Sequence, residues 1–77
     1  MQPLRELISK IRFGGETPSD YVFYYEDRKL NKLLELKFTD ITRAENIFLV
    51  VMREKETYIP MHRVREVRKK GIVVWKR

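Results

Sequence analysis

Apolar and polar positions along this chain follow two different periods, and the change of period separates a helical start from a strand-rich remainder. Near the N-terminus the apolar residues are spaced i, i+3, i+4 and i+7, which places them on one face of a helix: Leu4, Leu7, Ile8 and Ile11. Pro3 suits the first turn of such a helix, and Gly14-Gly15 suits its end. The pattern predicts a helix over about residues 3–12.

After residue 20 the chain consists of short runs of β-forming residues between turn residues. Leu34 to Phe38 alternates with a period of two, which predicts a strand with one buried face, and Ile47 to Met52 is apolar throughout, which is typical of a central strand covered on both faces. Lys69-Lys70-Gly71 predicts a hairpin turn. We predict six or seven strands, at about residues 21–25, 34–38, 41–44, 47–52, 57–59, 65–69 and 72–76.

Tight turns are predicted at Thr39-Asp40 and at Met61-His62-Arg63, where Val64 and Val67 are three residues apart and so break strand alternation. The order strand, turn, strand, hairpin, strand then occurs twice, which suggests an internal duplication although the two copies share little sequence. Taken together, the elements predict an α+β fold with one N-terminal helix packed on a curved antiparallel sheet of five to seven short strands. A partly open barrel is one form that such a sheet can take.

Length and composition narrow the classes of protein. A chain of 77 residues has room for one small core, so residues 1–77 are expected to form a single domain with its sheet over about residues 21–77. The chain has no cysteine and one histidine, which argues against a structural zinc site. Its longest apolar run is far shorter than the roughly 20 residues that span a bilayer, and no signal-peptide layout is present. We therefore expect a cytoplasmic protein that does not associate with membranes.

The net charge is concentrated in the last third of the chain. Residues 1–52 carry eight Lys/Arg and eight Asp/Glu, whereas residues 53–77 carry nine Lys/Arg and three Asp/Glu and so hold the whole net charge of +6. Because like charges repel, this segregation favours an anionic partner, and as a set the cations resemble the electrostatic footprint of a nucleic-acid-binding protein. We interpret residues 58–77 as a phosphate-facing surface.

Within that surface, His62 and Arg63 follow a proline in a predicted turn. An imidazole beside a guanidinium can clamp a phosphate, because the guanidinium presents a planar fork of donors and the imidazole adds a titratable one. The alternative is an ordinary surface turn whose histidine caps a backbone carbonyl. Trp75 shares a strand face with Val73 and Arg77, and it either packs at the core or stacks on an unpaired base.

The aromatic first strand presents a second ambiguity. Tyr21, Phe23 and Tyr25 share one face, and Val22 and Tyr24 share the other. One set must enter the core, and the other is available as a platform for splayed RNA bases. The alternation does not indicate which set is buried.

Signals for catalysis and for cofactors are weak. Hydrolysis of a cyclic phosphate by paired histidines needs an acid and a base, and this chain has one histidine. It has no glycine-rich phosphate loop, and neither of its two serines lies in a nucleophile motif. Asp40, Glu45 and Glu66 would hold a metal only if the fold brought them together. We expect a protein without a cofactor, without a metal and without catalysis of its own.

The run Ile59-Pro60-x-His62-Arg63-Val64, followed by Gly71 and Trp75-x-Arg77, resembles a family of small, mostly archaeal proteins described as an RNA cyclic-group end recognition domain. Arg12-Phe13 and the aromatic strand after Asp20 also fit, so the resemblance covers nearly the whole chain. It implies binding of RNA ends, such as 2′,3′-cyclic phosphates, by the residues that match the motif: His62, Arg63, Trp75 and Arg77. The family domain also occurs attached to RNA-processing domains, which makes RNA-processing proteins further candidate partners.

Three hypotheses about function result. The first is an RNA-binding module without catalysis, in which His62 and Arg63 hold a terminal phosphate, Arg77 adds charge and Trp75 stacks or braces. The second is a small nuclease or phosphodiesterase for RNA ends that uses His62 as its sole general acid or base. The third is a protein-interaction scaffold whose basic strand meets an acidic partner.

Overall fold

The computed structural model describes residues 3–77, and these residues form one helix and seven strands. Met1 and Gln2, the first two residues of the predicted domain, lie outside the described residues. The elements are α1 (Leu4–Phe13), β1 (Tyr21–Asp27), β2 (Lys32–Lys37), β3 (Ile41–Glu45), β4 (Phe48–Met52), β5 (Glu56–Pro60), β6 (Val64–Lys69) and β7 (Ile72–Lys76). Single 3₁₀ turns precede three of the strands, at Pro18–Asp20, Phe38–Asp40 and Met61–Arg63.

The strands form two antiparallel sheets, so the prediction of one curved sheet is wrong, although the α+β class is confirmed. The four-stranded sheet has the order β2-β1-β6-β7, and the three-stranded sheet has the order β3-β4-β5. No closed barrel is formed by residues 3–77. Hydrophobic alternation reports which face of a strand is buried but carries no information on which strand lies beside it, and the division into two sheets was therefore not visible in the sequence.

The repeated order of elements is present, and it explains how the chain divides between the sheets. β2 leaves the four-stranded sheet at the turn Phe38–Asp40, and the hairpin of β3 and β4 follows in the three-stranded sheet. β5 leaves the three-stranded sheet at the turn Met61–Arg63, which we call the third turn, and the hairpin of β6 and β7 follows in the four-stranded sheet. In both halves a single 3₁₀ turn connects a strand of one sheet to a strand of the other.

One hydrophobic cluster joins the helix to both sheets. All four apolar residues of the predicted helix face are buried in it. The inner faces of the strands supply its largest fully buried side chains, among them Phe23, Leu36, Leu49 and Val67. The rings of Phe23 and Phe38 lie 5.6 Å apart, a usual distance for an aromatic pair in a core.

The structure decides which face of β1 is buried. Tyr21 and Phe23 are in the core and Tyr25 packs against it, whereas Val22 and Tyr24 lie on the other face and are half-buried. β4 is the central strand of the three-stranded sheet, as predicted. Among the described residues, no helix is long and apolar enough to cross a membrane.

Candidate functional site

The third turn follows directly from the sequence around Pro60. A proline cannot donate to a strand ladder, and at Pro60, the last residue of β5, the chain leaves the three-stranded sheet. The Met61 amide then donates to the Ile47 carbonyl at 2.8 Å, which fixes the start of the turn. Met61 packs against the core, and His62 is exposed to solvent. The predicted turn at residues 61–63 is therefore confirmed, with His62 exposed as expected and Arg63 half-buried, contrary to the expectation that both side chains face solvent.

The end of β7 is joined to this turn through Arg77. The Arg77 guanidinium lies 4.9 Å from the centroid of the Trp75 ring, and its Nη2 donates to the Met61 carbonyl at 3.3 Å. The Arg77 amide also donates to the Arg65 carbonyl at 3.1 Å. Two residues that are far from the turn in sequence, Trp75 and Arg77, are thus brought beside it.

Trp75 belongs to the core at this point of the molecule. Its side chain is 6% exposed, and it lies opposite Val67 on the inner face of the four-stranded sheet. Because Arg77 covers part of the ring and the core covers the rest, little of the ring is accessible to a base. Of the two placements considered from the sequence, the structure shows Trp75 packed at the core.

Arg63 points in a different direction, towards a groove of about 370 Å³ between the end of β1 and β5. We call this the β1–β5 groove. The Arg63 Nε is buried and has no hydrogen-bond partner within residues 3–77. A buried donor without a partner costs about 1–3 kcal/mol, and the explanations for such a group include a bound water, a bound ion and a functional role.

Two further cations line the β1–β5 groove, Arg28 and Lys29 from the turn after β1. Two carboxylates are also present, but Glu26 faces Arg65 at 3.6 Å and Asp27 accepts a hydrogen bond from the Leu30 amide at 2.9 Å. None of the cations Arg28, Lys29 and Arg63 has an ion pair with another described residue. The groove is therefore attractive to an anion despite its carboxylates.

Two aromatic side chains complete the lining of the same groove: Tyr25, which belongs to one of the two sets considered as a platform for bases, and Tyr58, which sequence reasoning did not assign to the site. Tyr25 comes from the inner face of β1, and Tyr58 from β5 is 48% exposed. The Tyr58 hydroxyl donates to the Glu56 carboxylate at 3.3 Å, and this carboxylate raises the pKa of Tyr58 above its ordinary value. Tyr25 and Tyr58 are distant in sequence, and only their strand placement brings them to one groove.

Several other basic residues of the C-terminal segment face carboxylates. Lys69 Nζ lies 3.0 Å from the Glu16 carboxylate, and Lys70 Nζ lies 4.0 Å from Asp20. Arg68 forms an ion pair with Glu66, which raises the pKa of the arginine, and its guanidinium lies 4.9 Å from the Tyr24 ring. The excess charge seen in the sequence is thus partly neutralised in space.

Two of the described cations without a carboxylate partner lie beside the third turn. Within residues 3–77, neither Arg63 nor Arg77 has a carboxylate partner. The carboxylates considered as metal ligands do not meet: Asp40, Glu45 and Glu66 lie beside three different arginines. No three His, Cys, Asp or Glu side chains of the described part converge on one point.

These features define a small basic α+β domain with an exposed imidazole and two carboxylate-free guanidinium groups around one turn, beside a groove that is lined by tyrosines. Such a site suits a phosphate ester that carries an organic group. The chain belongs to the family described as the MJ1316 RNA cyclic group end recognition domain, whose family model matches residues 1–77. The resemblance seen in the residues is thereby confirmed.

Curated relatives of the chain are archaeal proteins. It is 35% identical over 78 residues to a UPF0248 protein of Saccharolobus solfataricus, an alignment that covers 96% of this chain and 95% of that protein. It is 31% identical over 74 residues to a UPF0248 protein of Metallosphaera sedula, with 96% and 91% covered. No solved structure matches.

Proposed function

We propose that this protein binds the ends of RNA and recognises a terminal 2′,3′-cyclic phosphate at the third turn, without catalysing a reaction on it. The description of its family, which names RNA cyclic group ends, supports RNA as the ligand. The observation that carries the proposal is the Arg63 side chain, whose buried Nε has no protein partner within residues 3–77, at the wall of a groove and next to the exposed His62.

In this proposal Arg63 holds the terminal phosphate. A cyclic phosphate presents two non-bridging oxygens, and the planar guanidinium fork matches such a pair of acceptors. Because part of the Arg63 side chain is buried, its interaction with an anion is less screened by solvent than that of a surface lysine. His62, on the solvent side of the same turn, adds a further donor.

In this proposal Arg77 and Trp75 stabilise the position of the third turn. Arg77 is held between the Trp75 ring and the Met61 carbonyl, so its charge is fixed one residue away from His62. A fixed charge costs little entropy to present to a ligand, which is how pre-organisation increases affinity. Trp75 contributes as a buried support and makes no contact with RNA.

The terminal nucleoside would occupy the β1–β5 groove. Its volume of about 370 Å³ lies within the usual range for small-ligand sites. Tyr25 and Tyr58 offer aromatic surface and hydroxyl groups to the sugar and base, and Arg28 and Lys29 lie where the preceding phosphate can approach.

The experiment compares three RNAs of identical sequence that end in a 2′,3′-cyclic phosphate, a 3′-phosphate or a 3′-hydroxyl. We expect the tightest binding for the cyclic end, with an affinity that falls steeply between ~50 and ~200 mM salt. Arg63→Ala and His62→Ala should remove the preference, whereas Arg65→Ala, an arginine of the next strand that faces Glu26, should keep it. Equal affinity for all three RNAs would refute end recognition, and a flat salt response would refute binding to nucleic acid.

The same samples test the enzymatic alternative. After long incubation at high protein concentration, RNA that still carries its cyclic phosphate is expected. Opening of the ring that depends on His62 would overturn the non-catalytic assignment in favour of a phosphodiesterase.

A further inference from the structure

A second groove lies on another part of the surface, between α1 and β3. It has a volume of about 240 Å³, and three arginines, Arg5, Arg12 and Arg43, line it together with Phe13. No carboxylate contributes to its lining among residues 3–77. We call this the α1–β3 groove. Counting charges along the sequence did not indicate this groove, because residues 1–52 have no net charge as a whole.

The three arginines of this groove differ in how they are held. Arg12 donates from Nη1 to the Thr42 carbonyl at 2.9 Å and from Nη2 to the Ile41 carbonyl at 3.3 Å, and these neutral partners leave its charge uncompensated. Arg43 is paired with carboxylates of β3 and β5. Arg5 has no ion pair within residues 3–77. The groove thus presents one fixed and one free positive charge.

Phe13 provides an aromatic surface at the end of the same groove. It is the last residue of α1, and its side chain is 81% exposed. The chain leaves the helix through Gly14, where an added Cβ would come within 2.5 Å of the Lys10 carbonyl oxygen, and the Gly14 amide donates to that oxygen at 2.9 Å. Only glycine permits this close exit, which holds the end of the helix and leaves the Phe13 ring outside the core.

We propose that the α1–β3 groove binds one nucleotide of single-stranded RNA, with Phe13 stacking on the base and Arg5 and Arg12 contacting the phosphate. Positive charge that follows the backbone, combined with an aromatic face for a base, is the usual chemistry of single-strand binding. An acidic peptide would use the arginines but would leave the exposed ring without a flat partner.

The nucleotide bound there is not the terminal one. Arg12 binds at the Ile41 end of β3, whereas the third turn meets the three-stranded sheet at its opposite end, where the Met61 amide donates to Ile47. The α1–β3 groove continues along β3 to Arg43 and Ala44, but it shares no lining residue with the β1–β5 groove, and β4 lies between the strands β3 and β5 that line the two grooves. The proposal rests on the proposed function in that RNA is the ligand, but it concerns a contact that is independent of the RNA end.

The test uses RNAs of two lengths, a dinucleotide and an oligonucleotide of ~8 nucleotides, each with a cyclic and with a hydroxyl end. We expect Phe13→Ala to weaken binding of the longer RNA roughly five-fold or more, equally for both ends, and to leave the dinucleotide unaffected. Arg5→Ala should reduce the slope of log affinity against log salt by about 0.7, the value for one phosphate contact on a single strand. Two exposed residues elsewhere serve as controls. Ile72→Ala removes an exposed apolar side chain, as Phe13→Ala does, and Lys37→Ala removes an exposed positive charge, as Arg5→Ala does.

The outcomes separate this inference from the proposed function. If the longer RNA shows no preference between ends but still loses affinity in Phe13→Ala, end recognition fails and the second contact stands. If Phe13→Ala and Arg5→Ala bind the longer RNA as the unsubstituted protein does, the second contact is refuted. A loss that Lys37→Ala reproduces in full would also overturn it, because net charge alone would then explain the effect.

Discussion

The partly buried guanidinium of Arg63 predicts that one substitution will increase stability and weaken binding. Arg63→Met keeps a long, flexible side chain that can fill the same space but removes all the donors. We expect the free protein to become slightly more stable and its affinity for RNA with a cyclic phosphate to fall sharply. The gain in stability follows from the Nε, which is buried and has no partner within residues 3–77, and the loss of affinity follows from removal of the guanidinium donors that face the groove.

The magnitudes follow from the environment of the side chain. A buried unsatisfied donor costs about 1–3 kcal/mol, but Arg63 as a whole is only half-buried, so a gain of about 1 kcal/mol in the free energy of unfolding is a reasonable expectation. In a domain of this size that gain raises the thermal midpoint by roughly 4–8 °C. A hydrogen bond to a charged group contributes about 1.5–3 kcal/mol, so the affinity should fall roughly 10- to 150-fold.

The assay pairs thermal and urea unfolding of the free protein with a binding titration of the cyclic-phosphate RNA. Arg65→Met is the matched control, because Arg65 is two residues away, carries the same group and is 44% exposed beside Glu26. It should change the free energy of unfolding by less than about 0.5 kcal/mol and should keep the preference for the cyclic end.

A clear loss of stability in Arg63→Met would refute the reasoning, since it would mean that the guanidinium supports the fold. Unchanged affinity together with increased stability would refute the role of Arg63 in binding while leaving the account of its desolvation intact. The two measurements therefore test the two parts separately.

Three further predictions concern Glu16, Gly71 and Trp75. Hydrogen bonds from Tyr21 and Lys69 lower the pKa of Glu16 below its ordinary 4.5. The stabilising effect of its carboxylate is therefore complete above that pH and lost as the pH falls through the lowered pKa, so urea midpoints of the wild type and Glu16→Gln should converge on acidification; a constant difference would contradict this. Gly71 has φ +82°, and a Cβ added there would meet only open space, so Gly71→Ala should cost about 1–2 kcal/mol from backbone strain alone, and an unchanged thermal midpoint would contradict it. Trp75 is buried, so its fluorescence should change little when RNA saturates the protein; strong quenching would indicate base stacking instead.

Much of the local structure could be predicted because it depends on neighbouring residues. The spacing of the apolar residues in α1, the proline before the third turn and the glycine of the last hairpin each act over a few positions. Lys70 and Gly71 have φ of 51° and 82°, and a two-residue hairpin with a type I′ turn requires a positive φ at both of these positions. The exposure of His62 in a turn was predictable for the same reason.

The site was only partly predictable, because its members are brought together by strand order. The motif supplied His62, Arg63, Trp75 and Arg77, but the contact of Arg77 with the Met61 carbonyl depends on β7 pairing with β6. The β1–β5 groove depends on the third turn carrying the chain from one sheet to the other. Arg28, Lys29 and Tyr58 therefore had no signal in the sequence beyond their charge or aromatic character.

The sequence by itself determined the helix, most strand positions, the turns and the segregation of charge, since all of these are set by short-range backbone preferences and by composition. Only the tertiary structure decided that the strands form two sheets, that Tyr21 and Phe23 rather than Tyr24 enter the core, and that most basic side chains of the last third meet carboxylates. The physical reason is that burial and ion pairing depend on distances between residues that are remote along the chain, and a linear pattern does not contain those distances.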